Sequence, residues 1–434
     1  MSKNETYIKE FQKLIRKETV SSRANKDLTK FYEFHDILRE VFPRTFQSCE
    51  FHDFNGSVLL RWPGSDGAKP PIMFMNHHDV VEATGVWKHP PFSGEVAEGK
   101  IWGRGTFDTK GGLYCMLRAC EELIGEGFMP AQDIYFESTC NEENTQEGAA
   151  AIAAYFKNAG IHLAASFDEG NCMREEPIAG AKGLFALVGL GEKGCAEMKF
   201  IARSTGGHAS IPPKNTPLVR LGRFMAEVED TVVFERKISP VMEEFFRRIE
   251  PFMTDKTLIP RDVENDATWE KLEPSVKAML ATTLAFTMAH GSEGANVLPQ
   301  EAYVVGNMRF SHHEGREKAV DKLRPIADKY GIEIDVYDPG FISTISDYRG
   351  PAFKTVERAT KEIFPAVDEV LPFVLTGASD SSFNGEICDQ CIRFSPFIAD
   401  AAQMAGMHGL DEHIKADSLE PAVEFYRFIM KEYK

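Results

Sequence analysis

The residues best suited to chemistry gather first in segment 76–112, NHHDVVEATGVWKHPPFSGEVAEGKIWGRGTFDTKGG. It follows an apolar run, 71–75, with the length and bounding prolines of a buried strand. His77 and Asp79 stand at that strand's end and alternate with His78, so they project from one face. A histidine and a carboxylate so placed suit a metal ligand and the group that orients it. Further on, Gly103-Arg104-Gly105 leads to Asp108 and then to Lys110-Gly111-Gly112 before an amphipathic helix. Glycines there let the backbone bend and aim one carboxylate inward. A lone His-x-Asp is more often a hydrogen-bonded surface pair, but other donors follow: Glu142 and Glu143, Asp168, and His408 ahead of Asp411-Glu412. Nitrogen and carboxylate oxygen together suit zinc, with cobalt or manganese able to substitute. There are more donors than one ion needs. A dinuclear centre, its ions about 3.5–4 Å apart, would share one carboxylate and leave a glutamate over as a base.

The elements that must position these groups read as alternating strand and helix. The spacing predicts a helix over 26–41, short strands over 49–54 and 57–62, and a helix over 110–126 with Leu113, Leu117, Cys120 and Leu123 inward. A strand over 133–139 delivers Glu142 and Glu143, and one over 163–167 delivers Asp168. In an open α/β sheet ligands bind at the carboxyl ends of the strands, so carboxylates arriving there in succession read as a site. Near Gly191 the texture changes, and 194–203, 281–288 and 301–310 read as strands of a separate α+β unit. The expected organisation is a catalytic domain over 1–191, an inserted unit over 192–310 and the rest of the catalytic domain over 311–434.

Composition narrows the function classes. A chain of 434 residues has room for two domains and a buried polar site. With 49 basic against 66 acidic residues, the net charge of −17 repels polyanions, so nucleic acid is not an expected partner. The amino-terminal stretch puts Ile8, Phe11, Leu14 and Ile15 on one helical face among charges, without the continuous apolar core of a signal peptide. No run is long enough to span a bilayer, and a cytoplasmic protein is expected. The eight cysteines are scattered as reduced thiols would be; Cys388-x-x-Cys391 lacks the second pair of a zinc ribbon and reads as packing.

The motifs NHHDVV, GRGTFDTKGG, NEE, FDEG, GGHAS, NVLP with a following arginine, and MHGLDE occur in order over almost the whole chain. In this the chain resembles the dinuclear zinc exopeptidase and amidohydrolase family, which includes carboxypeptidase S, aminoacylase, glutamate carboxypeptidase, acetylornithine deacetylase and succinyl-diaminopimelate desuccinylase. The spacing of TTLAFTMAHGSEGANVLP is most similar to the carboxypeptidase S and N-acyl-amino-acid hydrolase branch. The resemblance implies a catalytic domain with a mixed central sheet flanked by helices, interrupted by a smaller α+β lid. It also implies two Zn2+ per subunit, with Asp108 bridging, His77 and Asp168 on one ion, and Glu143 and His408 on the other. Glu142 would be the general base and Asp79 would orient His77.

By the same resemblance, His208 in the inserted unit would polarise the substrate carbonyl, while Asn296 and Arg309 hold the carbonyl and a free carboxylate. Gly377 and Ser379 would lie in a loop that wraps that end of the substrate. The implied reaction is hydrolysis of an amide or peptide bond in a small peptide or N-acyl amino acid. The alternatives are a biosynthetic deacylase and a catalytically silent member kept as a binding protein. In several relatives the inserted unit also dimerises and lends its histidine to the partner, which extends the option of a homodimer to this chain. Two departures stand out: Asn141 occupies a position where many members have aspartate, and His78 adds an imidazole beside the ligand position.

Overall fold

The computed structural model describes residues 2–341 and 343–433. Its largest sheet runs in the order Glu50–Phe54, Ser57–Trp62, Ile134–Thr139, Ile72–His77, Ala165–Asp168, Cys391–Arg393, Leu184–Glu192, Glu369–Leu375, with Met173–Glu175 added beside Leu184–Glu192. Ile72–His77 pairs in parallel with both of its neighbours, and Ala165–Asp168 in parallel with Cys391–Arg393. Parallel pairing points the carboxyl ends of these strands the same way. His77, the loop after Thr139 and the residues after Asp168 therefore arrive at one edge.

Burial follows from that topology. Every residue of Ile72–His77 and of Ile134–Thr139 is buried, as expected of parallel strands covered on both faces. Beneath lie the helices Lys3–Arg16, Lys110–Gly125, Pro351–Ile363 and Leu419–Glu432, whose apolar stripes meet Phe74, Phe136 and Phe167 in the main core. On the other face Glu147–Ala159 and the short helix Asp380–Glu386 cover Leu59, Met73, Met75 and Tyr135. The first helix starts with a capping box, Ser2 with Glu5, and buries Tyr7, Phe11, Leu14 and Ile15.

A second sheet is antiparallel throughout, in the order Thr283–His290, Glu301–Phe310, Gly194–Arg203, Ile332–Phe341. Gly194–Arg203 turns Ala196, Met198 and Phe200 inward against the helices Pro217–Asp230 and Gly315–Lys329. Ala202 joins them, while Cys195, Glu197 and Lys199 between are only partly buried, the alternation of a sheet with one covered face.

The boundaries differ from those expected. The inserted sheet extends to Phe341, because Ile332–Phe341 forms its edge beside Gly194–Arg203. Within 192–310, the helices Pro240–Ile249 and Pro274–Leu280 leave that sheet and pack on Phe185, Leu187, Leu371 and Phe373 of the central one. Helical periodicity says nothing about which of two sheets an apolar face covers. Strand Leu184–Glu192 is central to the fold, yet the apolar, glycine-punctuated run LFALVGLGE reads from sequence only as a change of texture.

Candidate metal centre

The centre begins with backbone placement. Gly103 and Gly105 take positive φ values of 153° and 87° just before the Asp108 turn, and the Asp108–Thr109 peptide is cis. Thr109 Oγ1 donates to the His77 carbonyl at 3.1 Å and accepts from the His77 amide at 3.3 Å, tying this turn to the strand end. Gly112 has no room for a side chain: a Cβ there would lie 2.4 Å from Asn76 Oδ1. The helix start can therefore approach the strand that carries His77.

Asp108 joins two groups of donors. Its Oδ1 lies 3.1 Å from His77 Nε2, and its Oδ2 lies 3.0 Å from His408 Nε2. His77 Nε2 is also 3.4 Å from Glu169 Oε1, and His408 Nε2 is 3.0 Å from Glu143 Oε2. Two donors about 2.1 Å from a tetrahedral ion are themselves about 3.4 Å apart, so pairs at these separations fit around shared cations. The sets His77, Asp108, Glu143 and His77, Glu142, Glu169 each have ligand atoms within 4.8 Å of one another. Among the described residues, His77, Asp108 and Glu169 form one half and Asp108, Glu143 and His408 the other, with both Asp108 oxygens in use.

The electrostatics call for positive charge here. Burial pushes the Glu142 carboxyl well above its usual range and Glu169 up to about 8. Burial also opposes a charged His77, yet Glu169, Asp108 and Asp79 hold it well above the ordinary imidazole value. Hydrogen bonds to Asp108 and Glu143 hold His408 up to about 10. Each imidazole lies against Asp108 and a glutamate, and divalent cations among the same atoms would supply the positive charge these carboxylates favour. The donor set fits zinc, cobalt or manganese.

Asp79 is wholly buried and serves several partners. Its Oδ1 accepts from the Glu142 amide at 3.1 Å, and its Oδ2 from the Glu143 amide at 3.2 Å and from Ser21 Oγ at 2.6 Å. Towards His77 Nδ1 the nearer acceptor is the Asp79 backbone carbonyl at 3.0 Å, with carboxylate Oδ1 at 3.4 Å. One aspartate thus orients the imidazole and fixes the loop bearing both glutamates. Gln146 Nε2 donates to Glu142 Oε1 at 3.0 Å, and Asn141 Oδ1 accepts from the Gly148 amide at 3.0 Å at the start of the following helix. His78 points away, bonded to Ser138 Oγ at 2.8 Å and stacked on Phe34.

Of the expected ligands, Asp168 is the one the structure sets elsewhere. Its Oδ2 accepts from Ser379 Oγ and from the Ser381 amide, both at 2.8 Å, and its Oδ1 accepts from the Glu169 amide at 2.8 Å. The neighbouring Glu169 faces His77 instead. In sequence both are acids at a strand end; which one turns towards the centre depends on how the chain leaves the strand, and the short helix Asp380–Glu386 occupies the space on the Asp168 side. Ser379 bridges Asp168 and Glu192 Oε1, the latter at 2.6 Å, and is buried. Gly377 is exposed, and a Cβ there would meet nothing.

The three residues expected from the inserted unit make hydrogen bonds within that unit. His208 is exposed, its Nδ1 accepting from the Ser210 amide at 3.1 Å. Asn296 is exposed, with its carbonyl accepting from the Ala209 amide at 3.0 Å. Arg309 Nε donates to Asn307 Oδ1 at 3.1 Å. Among the described residues, none of the three is hydrogen-bonded or ion-paired to the carboxylates around His77. His208 and Asn296 do share a neighbourhood, because Gly207-His208 pairs with Val297-Leu298.

Comparison with known proteins identifies the family and the fold. A family model described as peptidase family M20/M25/M40 matches residues 73–432. The chain is 27% identical over 421 residues to the "probable carboxypeptidase S-like 2" of Dictyostelium discoideum, covering 93% of this chain and 79% of that protein. It is 28% identical over 425 residues to the human "N-fatty-acyl-amino acid synthase/hydrolase PM20D1", covering 93% and 83%. Among solved structures, the M20 family metallo-carboxypeptidase Sso-CP2 from Sulfolobus solfataricus matches over 100% of this chain and 99% of that one, with a TM-score of 0.72 at 15% identity.

Proposed function

The chain belongs to peptidase family M20/M25/M40, and from that premise we propose that it is a dinuclear zinc-dependent hydrolase of an amide or peptide bond in a small substrate with a free carboxylate. The substrate would be an N-acyl amino acid or a dipeptide. The observation that carries the reading is Asp108, whose two oxygens each meet a different histidine, with a glutamate beside each imidazole. His77, Asp108 and Glu169 would hold one cation, and Asp108, Glu143 and His408 the other. Glu169 takes the place expected of Asp168.

When bound, the paired cations would acidify the attacking water and polarise the scissile carbonyl. Glu142 takes the proton from that water and returns it to the leaving nitrogen. Its backbone is pinned by Asp79 and its carboxylate is steered by Gln146, so the base is held in place before substrate arrives. Asp168 and Ser379 brace the loop behind Glu169. His208 donates to the developing oxyanion, Asn296 supports the same carbonyl, and the planar fork of Arg309 pairs with the substrate carboxylate. Bringing these three to the centre requires the inserted unit to close, or a second copy to supply them.

A homodimer through the inserted unit is favoured by its surface. Thr283–His290 is an edge strand that presents Met288 at 65% exposure, and Ile211 at 83% and Leu218 at 51% are exposed in the same unit. Open edges and apolar side chains together invite pairing with a second copy. No helix among the described residues is long and apolar enough to cross a membrane.

The experiment is a panel of dipeptides and N-acyl amino acids, each also as its carboxamide, assayed after chelation and after readdition of zinc, cobalt or manganese. We expect no turnover without metal, recovery with it, and rejection of the carboxamides. Undiminished hydrolysis by chelated protein would overturn the metal assignment, and equal turnover of the carboxamides would remove the free-carboxylate requirement.

A further inference from the structure

Glu412 lies four residues beyond His408 and touches no reacting group, yet its side chain is completely buried. Its Oε1 accepts from the Phe107 amide at 2.8 Å and the Asp108 amide at 3.0 Å; its Oε2 accepts from the Gly105 amide at 3.0 Å and Arg104 Nη1 at 2.8 Å. The Gly103 amide donates to the Glu412 carbonyl at 2.9 Å. Arg104 completes the tie from the other side, with Nη2 on the Gly409 carbonyl at 2.7 Å and Nη1 on that of Gly406 at 3.4 Å. One carboxylate and one guanidinium therefore join segment 103–108, which ends on Asp108, to segment 406–412, which contains His408.

The two halves of the centre are supported differently. His77 terminates a strand with ladder partners on either side, and its backbone is further bonded to Thr109. His408 lies in a turn with φ of 56°, and its side chain is 56% exposed. A ligand at such a position is located by what anchors its flanks, and here the anchors are Glu412 and Arg104. We propose that Glu412, acting with Arg104, is a positioning residue that sets the spacing between Asp108 Oδ2 and His408 Nε2. It thereby governs the affinity of the cation held by Asp108, Glu143 and His408, and not that of the cation held by His77, Asp108 and Glu169, because it sets where His408 stands and not where His77 does.

This rests on the two-cation reading above, and the physical cause is specific. A carboxylate satisfies four donors at once. The carboxamide in Glu412→Gln keeps one oxygen, so its NH2 confronts either the Gly105 amide and Arg104 or the Phe107 and Asp108 amides. Buried donors left without an acceptor relax towards water, and segment 406–412 moves with His408 relative to the Asp108 turn, whose own place is still held by Thr109 on the His77 backbone. Partners that orient metal ligands typically change affinity by roughly 10–100-fold when removed.

The test is titration of Co2+ into metal-free protein, followed by calorimetry and by the d–d absorption of the bound ion, with circular dichroism as the check on folding. The parent should bind in two steps, one of which disappears in His408→Ala. Glu412→Gln should weaken that same step by about 10–100-fold and leave the other at its parental Kd. Arg104→Lys, which keeps the charge but loses the fork onto Gly409, should weaken the same step less, and it is the deciding variant if Glu412→Gln does not fold. Parental affinity at both steps in the folded variant, or equal weakening of both, overturns the assignment of Glu412. A parent that takes up no cation at all instead removes the two-cation reading, and this inference with it.

Discussion

Strand Ile72–His77 is buried along its whole length and flanked in parallel on both sides, whereas Thr283–His290, at the edge of the inserted sheet, is mostly exposed. The contrast extends to the functional groups each region carries. Around His77 every backbone turn is tied: Asp79 holds the glutamate loop, Thr109 the strand end, and Glu412 the Asp108 turn. Around His208 the imidazole, among the described residues, bonds within its own turn through Ser210. A cation centre needs its donors fixed within tenths of an ångström before the ion arrives, so rigid parallel strands suit it. The oxyanion and carboxylate donors proposed for the inserted unit would have to admit substrate and release product, which suits exposed positions.

Several measurements would break or sharpen that contrast, beginning with the largest effect. Glu142→Gln should lower kcat by roughly 10³–10⁴-fold, at the upper end for acid–base groups, while elemental analysis still finds the parental metal content. Residual turnover near the parental rate would show that the base is another group. Glu169→Ala should lose one ion per chain, whereas Asp168→Asn should keep both and lose thermal stability; the reverse result would return the ligand role to Asp168. His208→Ala should cost about 10²–10³ in kcat with metal content unchanged. If mixing inactive His208→Ala with inactive Glu142→Gln restores activity, the histidine works across a dimer; if nothing is restored, each chain supplies its own.

The smallest effect concerns the junction between the two regions. Glu192-Lys193, Thr282 and Ser343 lie where the chain passes between the sheets, and His312 Nε2 meets the Ser343 carbonyl there at 2.9 Å. Burial pushes His312 down to about 4, with Arg393, His313 and Lys193 adding to the shift. The folded value lies below the unfolded one of about 6.5, so the folded state binds fewer protons between the two. Stability is therefore full above about pH 6.5 and is lost as the pH falls towards about 4. Urea titrations at pH 7 and pH 5 should show the parent losing about 2 kcal/mol more than His312→Asn. An equal loss in both would place the acid sensitivity elsewhere.

The central helices and the first strands were legible because their apolar positions repeat with clean periods, as in Phe11, Leu14 and Ile15 or Leu113 and Leu117. Leu184–Glu192 was not, since a continuous apolar run broken by glycines has no period to read. The Asp108 turn was marked by its glycines. Glu412 carried no mark beyond its place after His408, because its partners are backbone amides that any sequence possesses.

By itself the sequence determined the family to which the chain belongs and singled out His77, Asp108, Glu142, Glu143 and His408, because residue types and their order survive without coordinates. Only the tertiary structure shows that Glu169 and not Asp168 faces His77, which sheet the helices Pro240–Ile249 and Pro274–Leu280 cover, and that His208, Asn296 and Arg309 bond to neighbours in their own unit. The physical reason is the same in each case. Side-chain direction at the end of a strand, and the choice of surface for an apolar face, depend on what else fills the neighbouring space, and those neighbours come from distant parts of the chain.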